Sequence, residues 1–236
     1  EYYYHKSSGD KYEVIFVTHR DSDFFVNKVF HLTAEQKKTA KSYESIFEQL
    51  GNTDFISSDN ILGSQAGLDS LPLTNAQVTN YLSIATSTDP KISPARKQVL
   101  TVGLSIVGKV GYFWGGKYNG TGWNSNWGKN TLVTASGDHT TGTYQPLGLD
   151  CSGFVTWSVI NGYLNQGMQS SVGDGTSDQW EKANVVSEQD AQPGDLVFQK
   201  GPEAGSDNHV GIICGKTNAG DWIAVHCSSG KNGVTV

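Results

Sequence analysis

Leu149-Asp150-Cys151-Ser152-Gly153-Phe154-Val155 is the stretch on which the reading of this chain turns. A single cysteine stands between small polar residues, just ahead of an apolar run of helical character. Backbone N–H groups at a helix start carry the positive end of the helix dipole. A thiol placed there is expected to ionise more readily, into the form that attacks carbonyls. A cysteine nucleophile also needs a base within hydrogen-bond reach, and a third group that fixes the tautomer of that base.

Both are available downstream. His209-Val210-Gly211-Ile212-Ile213-Cys214 and Trp222-Ile223-Ala224-Val225-His226-Cys227 have strand character. A hairpin turning near Asn218 sets Gly211 opposite His226 and Val210 opposite Cys227, by strand alternation. His209 then lies two residues along on the same face as His226, with Gly211 leaving room between the imidazoles. The same register holds Cys214 about four residues from Cys227, beyond disulfide reach. Those two are expected to be buried, inert thiols. His139 has no such neighbour. A cysteine on its own reads as a core residue, since free cysteines are among the most buried side chains. The helix start, the two co-facial histidines and the aromatic-glycine turn before them together set Cys151 apart.

Working outward, Gln192-Pro193-Gly194-Asp195 turns into a further strand, Leu196-Val197-Phe198, with Asp195 expected to cap its own turn. Ser93 as N-cap and Pro94 at the first helical position open a helix through Gln98, Leu100, Leu104 and Val107, running out at Gly111. Gly103 and Gly108 on it allow another element to pack close. A lead helix, a helix bearing the thiol to about Tyr163 and an antiparallel sheet make an α+β domain. It is expected over residues 93–236, beginning at the proline-marked boundary Thr88–Pro94. Residues 117–148 form an aromatic, Gly- and Asn-rich insertion with Tyr118, Trp123, Trp127 and Tyr144. It reads either as a loop folding its aromatics under itself or as a wall of a substrate groove.

Residues 1–92 form an accessory segment or small α+β domain of unknown role. Strands are expected at Tyr12–Val17 and Phe24–Phe30, joined through Asp21-Ser22-Asp23. Thr33-Ala34-Glu35-Gln36 is a capping box opening a helix through Ala40, Tyr43, Phe47 and Leu50, closed by Gly51. A short helix is expected over Asn75–Ala85. His5, His19 and His31 show no metal-ligand spacing. The formal charge of -6 over 236 residues argues against a nucleic-acid surface. No apolar stretch approaches the roughly 20 residues needed to span a bilayer. The chain opens on Glu1, so a mature product or excised fragment is expected, with any signal or anchor upstream.

Gly111-Tyr112-Phe113-Trp114-Gly115-Gly116, Asp150-Cys151-Ser152-Gly153-Phe154-Val155, Pro193-Gly194-Asp195-Leu196-Val197-Phe198, His209-Val210-Gly211-Ile212 and Val225-His226 occur in that order. In this the chain resembles the NlpC family of papain-like bacterial cell-wall cysteine peptidases, over roughly residues 95–236. The stretches from Trp114 to Cys151 and from His209 to His226 are longer than is usual in the family. The resemblance implies a papain-like core, with Cys151 as nucleophile, His209 as base and His226 as its orienting partner. The Cys151 backbone N–H would help hold the oxyanion, with Tyr112 as a further donor. In some relatives residues flanking the cysteine hold a free stem-peptide amine, which makes Asp150 and Ser152 candidate contacts. Helix capping is the competing and favoured reading for both. Trp114 is a further candidate contact, though core packing is the favoured reading.

The implied function is hydrolysis of a peptidoglycan stem-peptide amide, foremost between D-glutamate and the diamino acid, through a thioester. Alternatives are a muramoyl-alanine amidase, a cross-bridge endopeptidase, or an inactive wall-binding module. No metal or organic cofactor is implied. The expected protein is a secreted, wall-associated monomer whose partner is the stem peptide.

Overall fold

The computed structural model describes residues 2–8, 11–17, 34 and 68–236. The chain divides into two units, Glu1–Glu48 and Gln49–Val236. In the first, β1 (Tyr2–Ser8) and β2 (Lys11–Val17) pair antiparallel, with Ser8 opposite Lys11 and Tyr2 opposite Val17. Tyr12–Val17 is thus a strand, as its sequence predicts, but its observed partner lies upstream. The expected strand Phe24–Phe30, the turn before it and the helix opened at Thr33 lie outside the described residues, Ala34 apart, which is helical.

The second unit begins its described part with α1 (Asn75–Thr88). Thr74 and Gln77 form a reciprocal capping box: the Thr74 hydroxyl accepts from Gln77 N–H and Thr74 N–H donates to Gln77 Oε1. Ala85 of α1 and Ile92 after it are buried in this unit's core. So residues before the proline-marked boundary contribute packing to the domain that follows.

The lead helix, α2 (Pro94–Ser105), starts as expected, with Ser93 accepting from Arg96 N–H and Pro94 in the first turn. It stops at Ser105 rather than Gly111. The reason is tertiary: Gly108 N–H donates to Val234 O, and Val234 N–H donates to Val110 O. Backbone that would have extended the helical ladder is recruited to the edge of the sheet instead.

Residues 117–148 are not structureless. They contain a short antiparallel pair, β3 (Asn130–Leu132) and β4 (Tyr144–Pro146). Trp127 packs edge-on against Tyr118, Trp123 and Trp157 at centroid separations of 5.8, 4.8 and 5.5 Å. These aromatics fold under the insertion, while Tyr144 stays exposed.

α3 (Cys151–Tyr163) is buried along most of its length, its polar Ser152, Thr156, Ser158 and Asn161 included. It packs against α2 on one side and the sheet on another. The crossing with α2 is close: a Cβ on Gly103 would lie 3.1 Å from the Phe154 ring, and one on Gly162 would lie 2.5 Å from Val99 Cγ2. Asn161 ties the insertion to this helix, its Oδ1 accepting from Gly122 N–H at 2.6 Å. Trp157 adds a bond from Nε1 to Gly122 O at 3.1 Å. Trp157 is fully buried, so Trp157→Ala is expected to cost about 3–5 kcal/mol of stability. The urea midpoint checks this; an unchanged midpoint would mean that the insertion and α3 are not joined through this ring.

Two short helices, α4 (Met168–Val172) and α5 (Thr176–Lys182), lead to the sheet. Its strands β5 (Leu196–Phe198), β6 (Val210–Lys216), β7 (Trp222–Ser228) and β8 (Gly233–Thr235) lie in that order, all antiparallel. Ile212 faces Val225 and Ile213 faces Ala224, the expected hairpin register. A bulge between Ile213 and Gly215 shifts the pairing beyond it. At the entry to β5, Asp195 accepts from Gln192 N–H at 2.8 Å, capping its turn, and also pairs with Arg96 at 2.7 Å. The unit is an α+β fold with the cysteine helix packed on an antiparallel sheet, the class expected from the sequence.

Candidate active site

Cys151 is the first residue of α3, and Asp150 is its N-cap. The Asp150 carboxylate accepts from Gly153 N–H at 2.7 Å and from the Ser152 hydroxyl at 3.0 Å. This fixes the first turn, and with it the direction of the sulfur. Gly153 is dictated by a close approach: a Cβ there would lie 2.1 Å from Gly116 O. That carbonyl also accepts from Asp150 N–H at 3.0 Å. The glycine turn after Trp114 is thereby clamped to the start of the cysteine helix.

The histidines come from the sheet. His209 stands just before β6 and His226 is on β7. His209 Nε2 and His226 Nδ1 are 2.7 Å apart, with the rings at 78°. A Cβ on Gly211 would lie 3.0 Å from His226 Cβ, so glycine keeps this space open for the pair. With Nε2 of His209 engaged by His226, Nδ1 is the nitrogen left for another partner. If His209 donates its Nε2 proton to His226, then Nδ1 carries a lone pair and can act as a base.

Cys151, His209 and His226 line one cleft of about 660 Å³. Tyr112, Trp114, Asp138, Phe198, Asp207 and Ser228 also line it. Trp114 lines the cleft and is not among the residues of the core, which corrects the favoured reading of it as core packing; its Nε1 donates to Ser136 O at 2.9 Å. Gly137 and Asp138 bring the tip of the insertion to the same wall. Asp150 and Ser152 are buried instead, in the cap geometry just described. His139 is exposed, beside Asp138.

Burial is the largest influence on the thiol and pushes Cys151 up, and the Asp150 carboxylate adds to it. A hydrogen bond from the Val210 backbone, the Lys117 ammonium and a hydrogen bond from the Ser152 backbone pull the other way. The net direction is upward, which corrects the expectation from the helix dipole alone: desolvation outweighs the helix end here. Burial lowers both imidazoles, and His209 further lowers His226. Burial thus disfavours the charged form of the thiol and of both imidazoles. Burial and the neighbouring Cys151 and Asp150 raise the Tyr112 phenol, keeping it protonated as a donor. Cys214 and Cys227 are free and fully buried, Cys214 being pushed up to about 12.

Three supporting residues escaped the sequence reading. Lys117 donates to Asp150 at 2.7 Å and to the Ser152 hydroxyl; in a Gly- and Asn-rich loop it has the look of a surface lysine. Asn208 holds the turn before His209, accepting from Lys200 N–H and His209 N–H, each at 2.9 Å. Its place directly before the histidine was the signal that could have drawn attention to it. Gln179, almost fully buried, donates to Ser152 O at 2.9 Å, and nothing in its sequence neighbourhood marks it.

Among the described residues, no group of three or more His, Cys, Asp or Glu side chains is placed to hold a metal ion. No helix among them is long and apolar enough to cross a membrane. A sequence model of the NlpC/P60 family matches residues 109–235. No curated protein matches the chain. Among solved structures, the peptidoglycan hydrolase RipB from Mycobacterium tuberculosis is similar at 17% identity, over 91% of this chain and 87% of that one. Its TM-score of 0.30 is too low to support a structural argument.

Proposed function

The chain belongs to the NlpC/P60 family, and on that premise we propose that it is a peptidoglycan hydrolase of the cysteine peptidase type. The observation that carries the reading is the 2.7 Å contact between His209 and His226 in the cleft that Cys151 opens onto. A side chain at a helix start, a base and an orienter for that base meet at one place, although they come from separate parts of the chain.

In the proposed reaction His209 Nδ1 takes the Cys151 proton as the sulfur attacks the amide carbonyl. The oxygen of the tetrahedral intermediate is held by the Cys151 backbone N–H, with the Tyr112 hydroxyl as a second donor. His209 then returns the proton to the departing amine, leaving an acyl thioester on Cys151. Water, deprotonated by the same imidazole, attacks the thioester, and the released sulfur recovers its proton. His226 holds the tautomer that leaves Nδ1 free.

The proposed bond is the one between D-glutamate and the diamino acid of the stem peptide, as the family resemblance implies. The site of action is the cell wall, outside the membrane. The wall-binding alternative has less support, because Trp127 packs edge-on against Trp123 and Trp157, and both insertion rings are partly buried against the core.

A graded series tests the roles. His226→Ala should reduce kcat/KM less than His209→Ala does, and His226→Asn, which keeps an acceptor, should recover part of the loss. Because burial lowers His209, the base stays neutral to below its ordinary value near 6.5. The acid limb of kcat/KM should therefore lie below about pH 6.5 in the wild type. It should move up towards that value in His226→Ala, which opens His209 to solvent. A wild-type limb above the ordinary imidazole range would contradict the assignment of His209 as the buried base.

A further inference from the structure

We propose that Lys117 is a positioning residue for the nucleophile, its ammonium group locking the Asp150–Ser152 pair that flanks Cys151 and neutralising the carboxylate within it. The inference rests on Cys151 being the nucleophile.

Asp150 sits in a conflict. As N-cap it must accept from Gly153 N–H to start α3. As an anion one residue from the sulfur, it opposes formation of the thiolate that attack requires. Lys117 resolves the conflict. Its Nζ lies 2.7 Å from Asp150 Oδ1 and also donates to Ser152 Oγ, whose own proton goes to the same carboxylate. Ammonium, hydroxyl and carboxylate form a closed ring around the first turn of the helix.

The placement of Lys117 is not that of a mobile surface side chain. The preceding carbonyl, Gly116 O, is pinned by Asp150 N–H and abuts Gly153. Gly116 N–H donates to Phe113 O at 2.8 Å. The pair is shielded, with side-chain exposures of 28% for Lys117 and 11% for Asp150, so solvent screens it less than an open surface pair. The same ring engages both groups that a substrate amine beside the cysteine would need.

The test is the pH dependence of iodoacetamide alkylation at Cys151, read by peptide mass spectrometry on the full chain. It compares wild type, Lys117→Met, Asp150→Asn and the double variant. Asparagine caps a helix about as well as aspartate, so Asp150→Asn removes charge and keeps the cap. The other titratable groups around the thiol are Tyr112 and Asp138 from the loops, Asp207 and His209 before β6, and His226 and Cys227 of β7. All are unchanged across the series.

Lys117→Met should move the labelling limb to higher pH, slowing alkylation at pH 7 about tenfold for a shift of one unit. Asp150→Asn should move it to lower pH, and the double variant should return it close to wild type. The melting temperature of each variant, read alongside, separates a shift of the labelling limb from a loss of fold, since an unpaired Asp150 charge could itself destabilise the domain. Lys117→Met labelling on the wild-type curve would overturn the proposal, as would a double variant that keeps the full Lys117→Met shift. Labelling needs no turnover, so these results are separate from any failure to hydrolyse peptidoglycan.

Discussion

Cys151→Ala and His209→Ala are each expected to stop release of peptidoglycan fragments while leaving the protein folded. The first removes the atom proposed to form the thioester. The second removes the proposed base, whose contribution would be about 10²–10⁴ in rate. Neither change should unfold the domain. Cys151 gives up one sulfur beside the cleft, and His209 is half-buried at the start of a strand held by Asn208 and β5. Fragment release from purified sacculi, read beside the melting temperature of each variant, separates the two effects. Retention of more than a tenth of wild-type turnover in His209→Ala would remove it as the base.

The second large effect is expected at Gly153. In an exposed helix, Gly→Ala would stabilise by about 1 kcal/mol. Here the added Cβ would sit 2.1 Å from Gly116 O and 3.2 Å from Asp150 Oδ1. The carbonyl cannot retreat freely, because Asp150 N–H is bonded to it. Overpacking against backbone costs about 1–3 kcal/mol and sometimes more, so the sign reverses. Gly153→Ala should lower the melting temperature by several degrees, at about 2–4 °C per kcal/mol for a domain of this size. It should also cut turnover by about a hundredfold, because the clash moves the turn that carries Cys151. Wild-type stability and activity in Gly153→Ala would mean that the clamp between the glycine turn and the helix start is not rigid.

Much of the site was legible because its determinants are local. Asp-Cys-Ser-Gly before an apolar run dictates a capped helix start, and alternation along two strands puts His209 and His226 on one face. Gly211 opposite His226 follows from that register alone. What escaped the sequence depends on contacts between distant segments. The end of α2 is set by β8, more than a hundred residues away. The partner of β2 lies upstream, at Tyr2–Ser8. The state of the Cys151 thiol depends on how deeply it is buried and on Lys117, neither of which the helix dipole reports. Both readings of the insertion have a part in the geometry: Trp127 packs edge-on against Trp157, and Gly137 and Asp138 line the cleft.

This chain is expected to cut a stem-peptide amide through Cys151. Mass spectrometry of purified peptidoglycan digested by the wild-type protein, with Cys151→Ala as the control, tests it most directly. New fragments whose free amine belongs to the diamino acid, absent from the control, are the predicted result. Stem peptides freed whole from muramic acid would place the cut at another amide. The same fragments with both proteins, or none with either, would contradict the claim.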